Sequence, residues 1–313
     1  MPSIRSATPP MPHPGALGAW LAALRPASLP IAVGPVLVGT AVAWQQQGRV
    51  PWLLACCALL AALLMQVITN LQNDVGFTRR GGEALGQRTG QPRATAQGWL
   101  ALAVVQRAVL LLSLLALGLG LGLVMLALRG WPVLLIGASS LVAALAYMGG
   151  PRPIAYTAWG EATVFVFFGL VAVGGTEWLL AGTVSTVGWL SAAVVGSTAA
   201  AALAVNNHRD RAHDQLVGRR TFAARFGTRA STRLLALLLA LPYGVAVVLA
   251  GLSRSAWPMA LCLLLPHSWL LLGRFRRVAD GAGHNAVLFG VFRLGLVNAL
   301  LWSAALVAMR LSA

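Results

Sequence analysis

The strongest constraint on the fold of this chain is a series of apolar runs of about twenty residues, separated by short segments that carry most of its charge. A helix of that length spans the hydrocarbon core of a bilayer and satisfies its own backbone hydrogen bonds there. Nine runs lie at about residues 18–44, 52–73, 100–126, 132–148, 161–180, 186–206, 231–252, 257–273 and 286–310. The sequence therefore predicts an all-α, polytopic membrane protein with about nine transmembrane helices.

The segments outside these runs are too short to form a second domain. Residues 1–17 are rich in proline and small residues, which predicts a disordered cytoplasmic tail. We expect residues 18–313 to form a single membrane domain. The first run lacks a small-residue cleavage signature, so we expect it to be retained. Pro30 and Pro35 predict that its helix is irregular.

Arginine sets the predicted orientation, because all 23 basic residues of the chain are arginines. With a cytoplasmic N-terminus, eighteen of them fall in cytoplasmic segments and four outside, as the positive-inside rule requires. A net charge of +16 is also typical of nucleic-acid-binding proteins, but those carry their charge on a soluble face. We therefore predict no nucleic-acid partner and a multi-pass protein of the cell inner membrane.

The densest charged segment follows the sixth run. Asn206, Asp210 and Asp214 are spaced at i, i+4 and i+8, which places one amide and two carboxylates on one face of a helix. Oxygen ligands without a cysteine or a histidine pair suit Mg²⁺, which a substrate's phosphates usually complete. Arg219 and Arg220 follow closely, and guanidinium groups bind phosphate oxygens in pairs. The segment predicts a site for Mg²⁺ and a phosphorylated substrate.

A second copy of this pattern lies upstream. Asn70 and Asp74 repeat the spacing of the first two motif residues, and Arg79 and Arg80 follow them. Either segment alone is equally well explained as a solvated basic loop at the end of a membrane helix. Two matched acidic faces favour a site, and the four predicted spans between them place both on the cytoplasmic side, where they can line one polar pocket.

A segment rich in glycine and proline joins the fourth and fifth runs. It predicts a tight turn, and its polar residues are also candidates to bind a polar aromatic ring at the pocket mouth. These candidates are Tyr147, Arg152, Tyr156 and Glu161. Arg25, in the first third of the first run, is a further candidate for the same ring.

Together these motifs resemble those of the UbiA-type intramembrane prenyltransferase superfamily. The resemblance extends from about Leu24 to the last run. It is carried by Asn206-Asn207-x-x-Asp210-x-x-x-Asp214, Gly218-Arg219-Arg220-Thr221, Asn70-x-x-Asn73-Asp74 and Gly149-Gly150-Pro151-Arg152-Pro153. Within the superfamily, the motifs are most similar to the branch that prenylates 1,4-dihydroxy-2-naphthoate in menaquinone biosynthesis.

The resemblance implies nine helices around a central cavity open to the cytoplasmic side, with a lateral opening to membrane lipid. It implies Mg²⁺ as the cofactor, a polyprenyl diphosphate as the donor and a hydroxylated aromatic acid as the acceptor. The implied metal ligands are Asn70, Asn73, Asp74, Asn206, Asp210 and Asp214, and the three aspartates, Asp74, Asp210 and Asp214, are also the implied catalytic residues. The implied diphosphate-binding residues are Arg79, Arg80, Arg93, Arg219 and Arg220.

The first motif departs from the family pattern at one place. Phe77 and Thr78 stand where the family has a further aspartate, so Asp74 is alone unless Glu83 folds back towards it. The number of Mg²⁺ ions therefore stays open.

Two other functions also stay open. One is a prenyltransferase with another acceptor, 4-hydroxybenzoate or homogentisate. The other is a transporter in which the acidic faces line a cation path. Transport is less favoured, because transporters place acidic residues near the membrane midplane rather than at the ends of spans.

Overall fold

The computed structural model of the protein describes residues 12–82, 90–127 and 131–312. Within these residues the chain is helical and contains no strand. The α-helices are α1 (Gly15–Leu24), α2 (Pro30–Gln47), α3 (Trp52–Arg79), α4 (Leu102–Ala127), α5 (Trp131–Met148), α6 (Gly160–Val164), α7 (Ala172–Ala181), α8 (Thr186–Arg209), α9 (Arg211–Leu216), α10 (Phe222–Ser253), α11 (Leu265–Arg277) and α12 (Gly281–Leu311). A π-helix (Phe165–Val171) joins α6 to α7, and 3-10 turns lie at Pro26–Ser28, Ile154–Tyr156 and Trp257–Leu264.

Eight helical segments in the described part of the chain are long and apolar enough to cross a membrane. The bent pair formed by α1 and α2 makes a ninth if it is counted as one span. The predicted all-α, polytopic fold is thus confirmed. Several spans are longer than predicted. The largest extensions are those of α3, which continues to Arg79, and α10, which begins at Phe222.

The first span is broken between α1 and α2. Arg25 has a left-handed conformation (φ 52°) and ends α1, and the axis then bends by about 40°. Pro26 and Pro30 open the next two helical segments, since proline fits the first helical turn but cannot continue a preceding helix. The helix therefore breaks before Pro30, whereas Pro35 lies inside α2. Helix α1 begins at Gly15, inside the predicted tail; residues 1–11 and Glu83 lie outside the described residues.

Helix α8 is the centre of the bundle. Its alanine-, glycine- and serine-rich sequence is mostly buried from Ser191 onwards, because small side chains let neighbouring helices approach closely. A Cβ atom added at Gly169 of the π-helix would lie only 2.5 Å from the Ala192 carbonyl oxygen. Trp302 of α12 is fully buried against α8 and donates a hydrogen bond to Ser191 Oγ at 2.8 Å.

Both charged motifs lie at one end of this bundle, which we call the polar end. Helix α3 reaches it at Arg79 and helix α8 at Arg209. His213, just after α8, lies with Nε2 2.7 Å from the carbonyl oxygen of Gly82, just after α3. This is the arrangement expected from the four spans between the motifs.

A cavity of about 380 Å³ opens along the bundle below the polar end. On α3 its lining extends from Ala58 to Asn73, about four helical turns or roughly 22 Å. Polar side chains line the upper part, while the lower part near Leu123, Val133 and Leu179 is apolar. The cavity therefore has a polar mouth and an apolar shaft.

Candidate active site

The second motif surrounds an arginine that lines the cavity. The Arg209 guanidinium donates to both carboxylate oxygens of Asp210, each at 2.8 Å, and also to Asn206 Oδ1. The side chains of Arg209 and Asp210 are only 3% and 2% exposed. Sequence reasoning counted Arg209 only as an orientation marker. The sequence did contain a signal for its place in the site, because Arg209 follows Asn206 by three residues and so lies on the same helical face.

Asp214 organises the turn that follows α9. Gly218 has φ 75°, which turns the chain so that the Arg219 amide donates to the Asp214 carbonyl at 2.7 Å. The Arg219 guanidinium then donates to Asp214 Oδ1 at 2.7 Å, and Thr221 Oγ1 donates to Oδ2 at 3.1 Å. The carboxylate is fully buried. A buried ion pair with these extra hydrogen bonds fixes Arg219 beside the first motif.

Asn70 holds the break in the first span. Its Nδ2 donates to the Leu24 carbonyl at 2.8 Å and to Ser28 Oγ at 3.0 Å, which supports the left-handed Arg25 between them. Its Oδ1 accepts from Gln66 Nε2 at 3.3 Å. Asn70, Gln66, Ser28 and Arg25 all line the cavity. The first motif therefore shapes the polar mouth as well as offering oxygen atoms to it.

The Asp74 carboxylate faces a loop. It accepts from the backbone amides of Ala94 and Thr95 at 3.1 and 3.2 Å and from the Thr95 hydroxyl. Arg93, the preceding residue, is buried and donates to the Asn73 carbonyl at 3.0 Å. Asp74 thus anchors the loop that carries Arg93.

Phe77 and Thr78, the two departures from the family pattern, hold the same loop. The Arg93 guanidinium lies 4.2 Å from the centroid of the Phe77 ring, and that of Arg219 lies 5.8 Å away. Thr78 Oγ1 lies 2.7 Å from Thr95 Oγ1. Phe77 is fully buried. Where the family pattern has a carboxylate, this chain gathers two guanidinium groups around an aromatic face, the geometry of a cation–π contact.

The other predicted diphosphate-binding arginines lie further out. The Arg80 guanidinium donates to the carbonyls of Gly76 and Met148, at 3.2 and 2.7 Å, and so joins α3 to α5. Arg79 is exposed, and its Nε lies 3.0 Å from the side-chain oxygen of Gln106 when that amide is oriented to accept. Arg220 is exposed. The structure therefore brings Arg93 and Arg219 together and leaves these three at the rim.

The predicted acceptor-binding residues are divided between the cavity and its surroundings. Tyr147 and Arg25 line the cavity. Glu161 is buried behind the wall, where its Oε1 accepts from Asn207 Nδ2 at 3.0 Å. Arg152 is exposed on the turn between α5 and α6.

The donor set at the polar mouth fits Mg²⁺. Among the described residues, no three His, Cys, Asp or Glu side chains form a metal-binding group, so a cation at the mouth would also need asparagine oxygens as ligands. Asn73 lines the cavity, and its Oδ1 is buried without a hydrogen-bond partner in the described part of the chain. An orphaned buried oxygen is costly unless a ligand uses it, and oxygen is the donor that Mg²⁺ prefers.

Comparison with known proteins places this chain in a family. The sequence profile of the UbiA prenyltransferase family matches residues 32–297. The chain is 36% identical over 227 residues to 1,4-dihydroxy-2-naphthoate octaprenyltransferase of Escherichia coli (strain K12), covering 71% of this chain and 72% of that protein. It is 35% identical over 263 residues to the enzyme of the same name from Mycobacterium leprae (strain TN), covering 79% and 84%.

The fold is similar to that of a solved UbiA homologue. A structure of the homologue from Archaeoglobus fulgidus bound to DMAPP and Mg²⁺ has a TM-score of 0.64 at 14% identity, covering 94% of this chain and all of that one. At that identity the likeness shows the fold alone. The family profile, which matches most of the chain, and the relatives above 30% identity confirm the resemblance that the motifs indicate. The chain belongs to the UbiA prenyltransferase family and is a membrane-embedded prenyltransferase.

Proposed function

We propose that this prenyltransferase transfers a polyprenyl group from a polyprenyl diphosphate to 1,4-dihydroxy-2-naphthoate, with Mg²⁺ as its cofactor and loss of the ring carboxylate as CO₂. The observation that carries the proposal is one cavity with two chemically different parts. Asn70 and Asn73 of the first motif, Asn206 of the second and Arg209 line its mouth, with Asp210 and Arg209 paired directly beside it, while its shaft is apolar. The relatives named for naphthoate octaprenyl transfer supply the acceptor and the donor class.

The apolar shaft suits an isoprenoid chain. Small residues of α3 and α5, among them Ala58, Ala62 and Gly137, keep it open, and Phe167 and Phe168 of the π-helix line it. Burying an isoprenoid chain there removes apolar area from water at about 25 cal/mol per Å². Aromatic faces also stabilise an allylic cation by cation–π contact. The shaft therefore binds the tail and shields the reacting carbon from water.

The polar mouth is proposed to hold the diphosphate. Mg²⁺, when bound, neutralises charge on the departing diphosphate, and the six Asn and Asp residues of the two motifs are proposed to hold it. Arg93 and Arg219 are the best placed of the predicted arginines, because both are buried beside Phe77. Arg209, unlike those two, lines the cavity itself. Arginines fixed before the reaction stabilise developing charge without having to reorganise.

We further propose that the polar mouth faces the cytoplasm and that the protein resides in the cell inner membrane. The distribution of arginines supports this orientation, with eighteen on the predicted cytoplasmic side against four. A cytoplasmic mouth gives water-soluble naphthoate direct access, while the isoprenoid tail enters from the lipid.

An acceptor panel tests the proposed function. Purified protein with an allylic diphosphate and Mg²⁺ should prenylate 1,4-dihydroxy-2-naphthoate and release diphosphate and CO₂, whereas EDTA should abolish all three. We expect 4-hydroxybenzoate and homogentisate to be poor substrates. Prenylation of either compound, with none of the naphthoate, would overturn the acceptor assignment. A folded protein that releases no diphosphate from any donor would point instead to transport.

Replacing Phe77 tests the role of its ring. Phe77→Leu keeps the site apolar but removes the aromatic face under Arg93, so we expect the KM for the prenyl diphosphate to rise about fivefold, the equivalent of ~1 kcal/mol of cation–π energy. The acceptor KM should change less than twofold. Steady-state kinetics with each substrate varied in turn measures both values.

Phe275→Leu is the matched control. Phe275 is equally buried, on α11, and its ring packs against His208 rather than an arginine. Both substitutions remove similar apolar volume, so both should lower the melting temperature by similar amounts. An equal rise of the donor KM in the two variants would show that Phe77 acts only by filling space.

A further inference from the structure

Gln66 presents an orphaned oxygen to the cavity. It lies on α3 one turn from Asn70 and two turns from Asn73, on the same helical face, where the polar mouth meets the apolar shaft. The side chain is 7% exposed. Its Oε1 is buried and has no hydrogen-bond partner in the part of the chain that the structure describes. An unsatisfied buried amide oxygen costs about 1–3 kcal/mol, which favours a ligand that donates to it.

The orientation of this amide is fixed by its neighbours. The Ser28 hydroxyl donates its one proton to the Arg25 carbonyl at 2.9 Å, so it can only accept from other groups. Gln66 must therefore present Nε2 to Ser28 Oγ, at 3.2 Å. The same Nε2 donates to Asn70 Oδ1, whose own amide nitrogen is used by Leu24 and Ser28. A flipped amide would lose both bonds, so Oε1 is held as a hydrogen-bond acceptor.

An oxygen held in this way selects a ligand with an N–H or O–H group. Within the proposed function, on which this inference rests, the isoprenoid chain has no such group and the diphosphate is an acceptor-rich anion. The hydroxylated aromatic acid does have one. In 1,4-dihydroxy-2-naphthoate the 1-hydroxyl lies beside the carboxylate and donates to it, so the 4-hydroxyl is the free donor.

We propose that Gln66 Oε1 accepts a hydrogen bond from the 4-hydroxyl of the aromatic acceptor and so fixes the ring at the junction of the mouth and the shaft. Asn73, whose orphaned oxygen we assign to the metal, lies two turns away, roughly 10 Å along α3. The ring is thereby placed where the isoprenoid tail leaves the shaft. Gln66 is a positioning residue for the acceptor and has no role in binding the donor.

Gln66→Leu and a methyl ether of the acceptor test this contact together. In the variant we expect the KM for the naphthoate and its dissociation constant, measured by fluorescence quenching without donor, to rise about tenfold. The donor KM should stay within twofold. The ratio of kcat/KM for the naphthoate to kcat/KM for its 4-methoxy analogue should be about tenfold higher in the wild-type protein than in the variant, because the ether cannot donate a hydrogen bond. Gln66→Met, which matches the length of the native side chain, should behave like Gln66→Leu.

Gln72→Leu is the matched control, since Gln72 lies on the same helix but is not among the described residues that line the cavity. It should leave both KM values and the preference for the hydroxyl unchanged. Folded Gln66 variants that keep the wild-type preference for the hydroxyl would overturn the inference, and so would equal losses for donor and acceptor. If the wild-type protein prenylates another phenol, the same comparison is made with that phenol and its ether. If the wild-type protein prenylates no phenol, both the proposed function and this inference are wrong.

Discussion

Asp210→Asn should lower the rate of prenyl transfer by about 10²–10³-fold while the protein stays folded in the membrane. The substitution removes one negative charge from the polar mouth, where we propose that Asp210 helps to hold Mg²⁺. Losing a single group that stabilises developing charge typically costs 10²–10³-fold. Asp210 is also the partner of the buried Arg209 guanidinium, so the substitution leaves that charge uncompensated and should lower the melting temperature as well. Single-turnover transfer and thermal melting in detergent measure the two effects.

Asp280→Asn controls for the loss of a carboxylate. Asp280 is exposed and caps α12, where its Oδ1 accepts from the Gly283 amide at 2.8 Å. Asparagine caps a helix as well as aspartate does, so activity should stay within twofold. If the Asp210→Asn variant keeps activity within a few-fold of wild type, Asp210 has no part in the mechanism.

Asp214→Asn should abolish transfer as well, but for a different reason. Asp214 is fully buried and pairs with the buried guanidinium of Arg219 at 2.7 Å. Removing one partner of a buried ion pair costs about 3–5 kcal/mol, because the other charge is left uncompensated. We therefore expect a clearly lower melting temperature for Asp214→Asn. A wild-type melting temperature would indicate that Arg219 finds another acceptor.

The spans were predictable because membrane length and backbone hydrogen bonding leave a helix of about twenty residues few alternatives. The placement of both motifs at the ends of spans was also predictable from the pattern of apolar runs. The second motif was predicted to lie on one face of a single helix, but the structure divides it between α8, which ends at Arg209, and α9, which holds Asp214. The predicted end of the second span at residue 73 was too early. Helix α3 continues to Arg79 because its last turns are buried beneath the loop after it, as Phe77 shows.

The direction of each polar side chain was not predictable, because it depends on segments far away in the sequence. Asp74 faces the backbone amides of Ala94 and Thr95, a loop whose position no periodicity encodes. From the sequence alone, Arg209 was interpreted as an indicator of membrane orientation, because a positive charge at the end of a span marks the cytoplasmic side in most membrane proteins. The unpaired oxygen of Gln66 is visible only in the structure, because the orientation of its amide is fixed by Ser28, which lies in the break of the first span.

Asp74→Asn should reduce transfer at least 10²-fold, and the structure predicts that much of the loss comes from the loop. The carboxylate accepts from two backbone amides and from the Thr95 hydroxyl. An asparagine offers one oxygen to these donors and points an NH₂ group at the remainder, and unmatched buried donors cost about 1–3 kcal/mol each. The loop should therefore detach and carry Arg93 away from Phe77. Trypsin cleaves after arginine, so cleavage between Arg93 and Ala94, identified by mass spectrometry, reports the detachment.

Thr95→Val decides between the two roles of Asp74. It removes the hydroxyl that donates to the carboxylate but leaves the charge of Asp74 and both backbone amides in place. If Asp74 anchors the loop, the variant should lose activity about tenfold, in keeping with one hydrogen bond to a charged group at the low end of its range, and trypsin should cleave after Arg93 faster than in wild type. If Asp74 contributes only charge to the metal site, Thr95→Val should be as active as wild type, and Asp74→Asn should show the wild-type tryptic pattern. The buried position of Arg93 and the three donors around one carboxylate favour the first result.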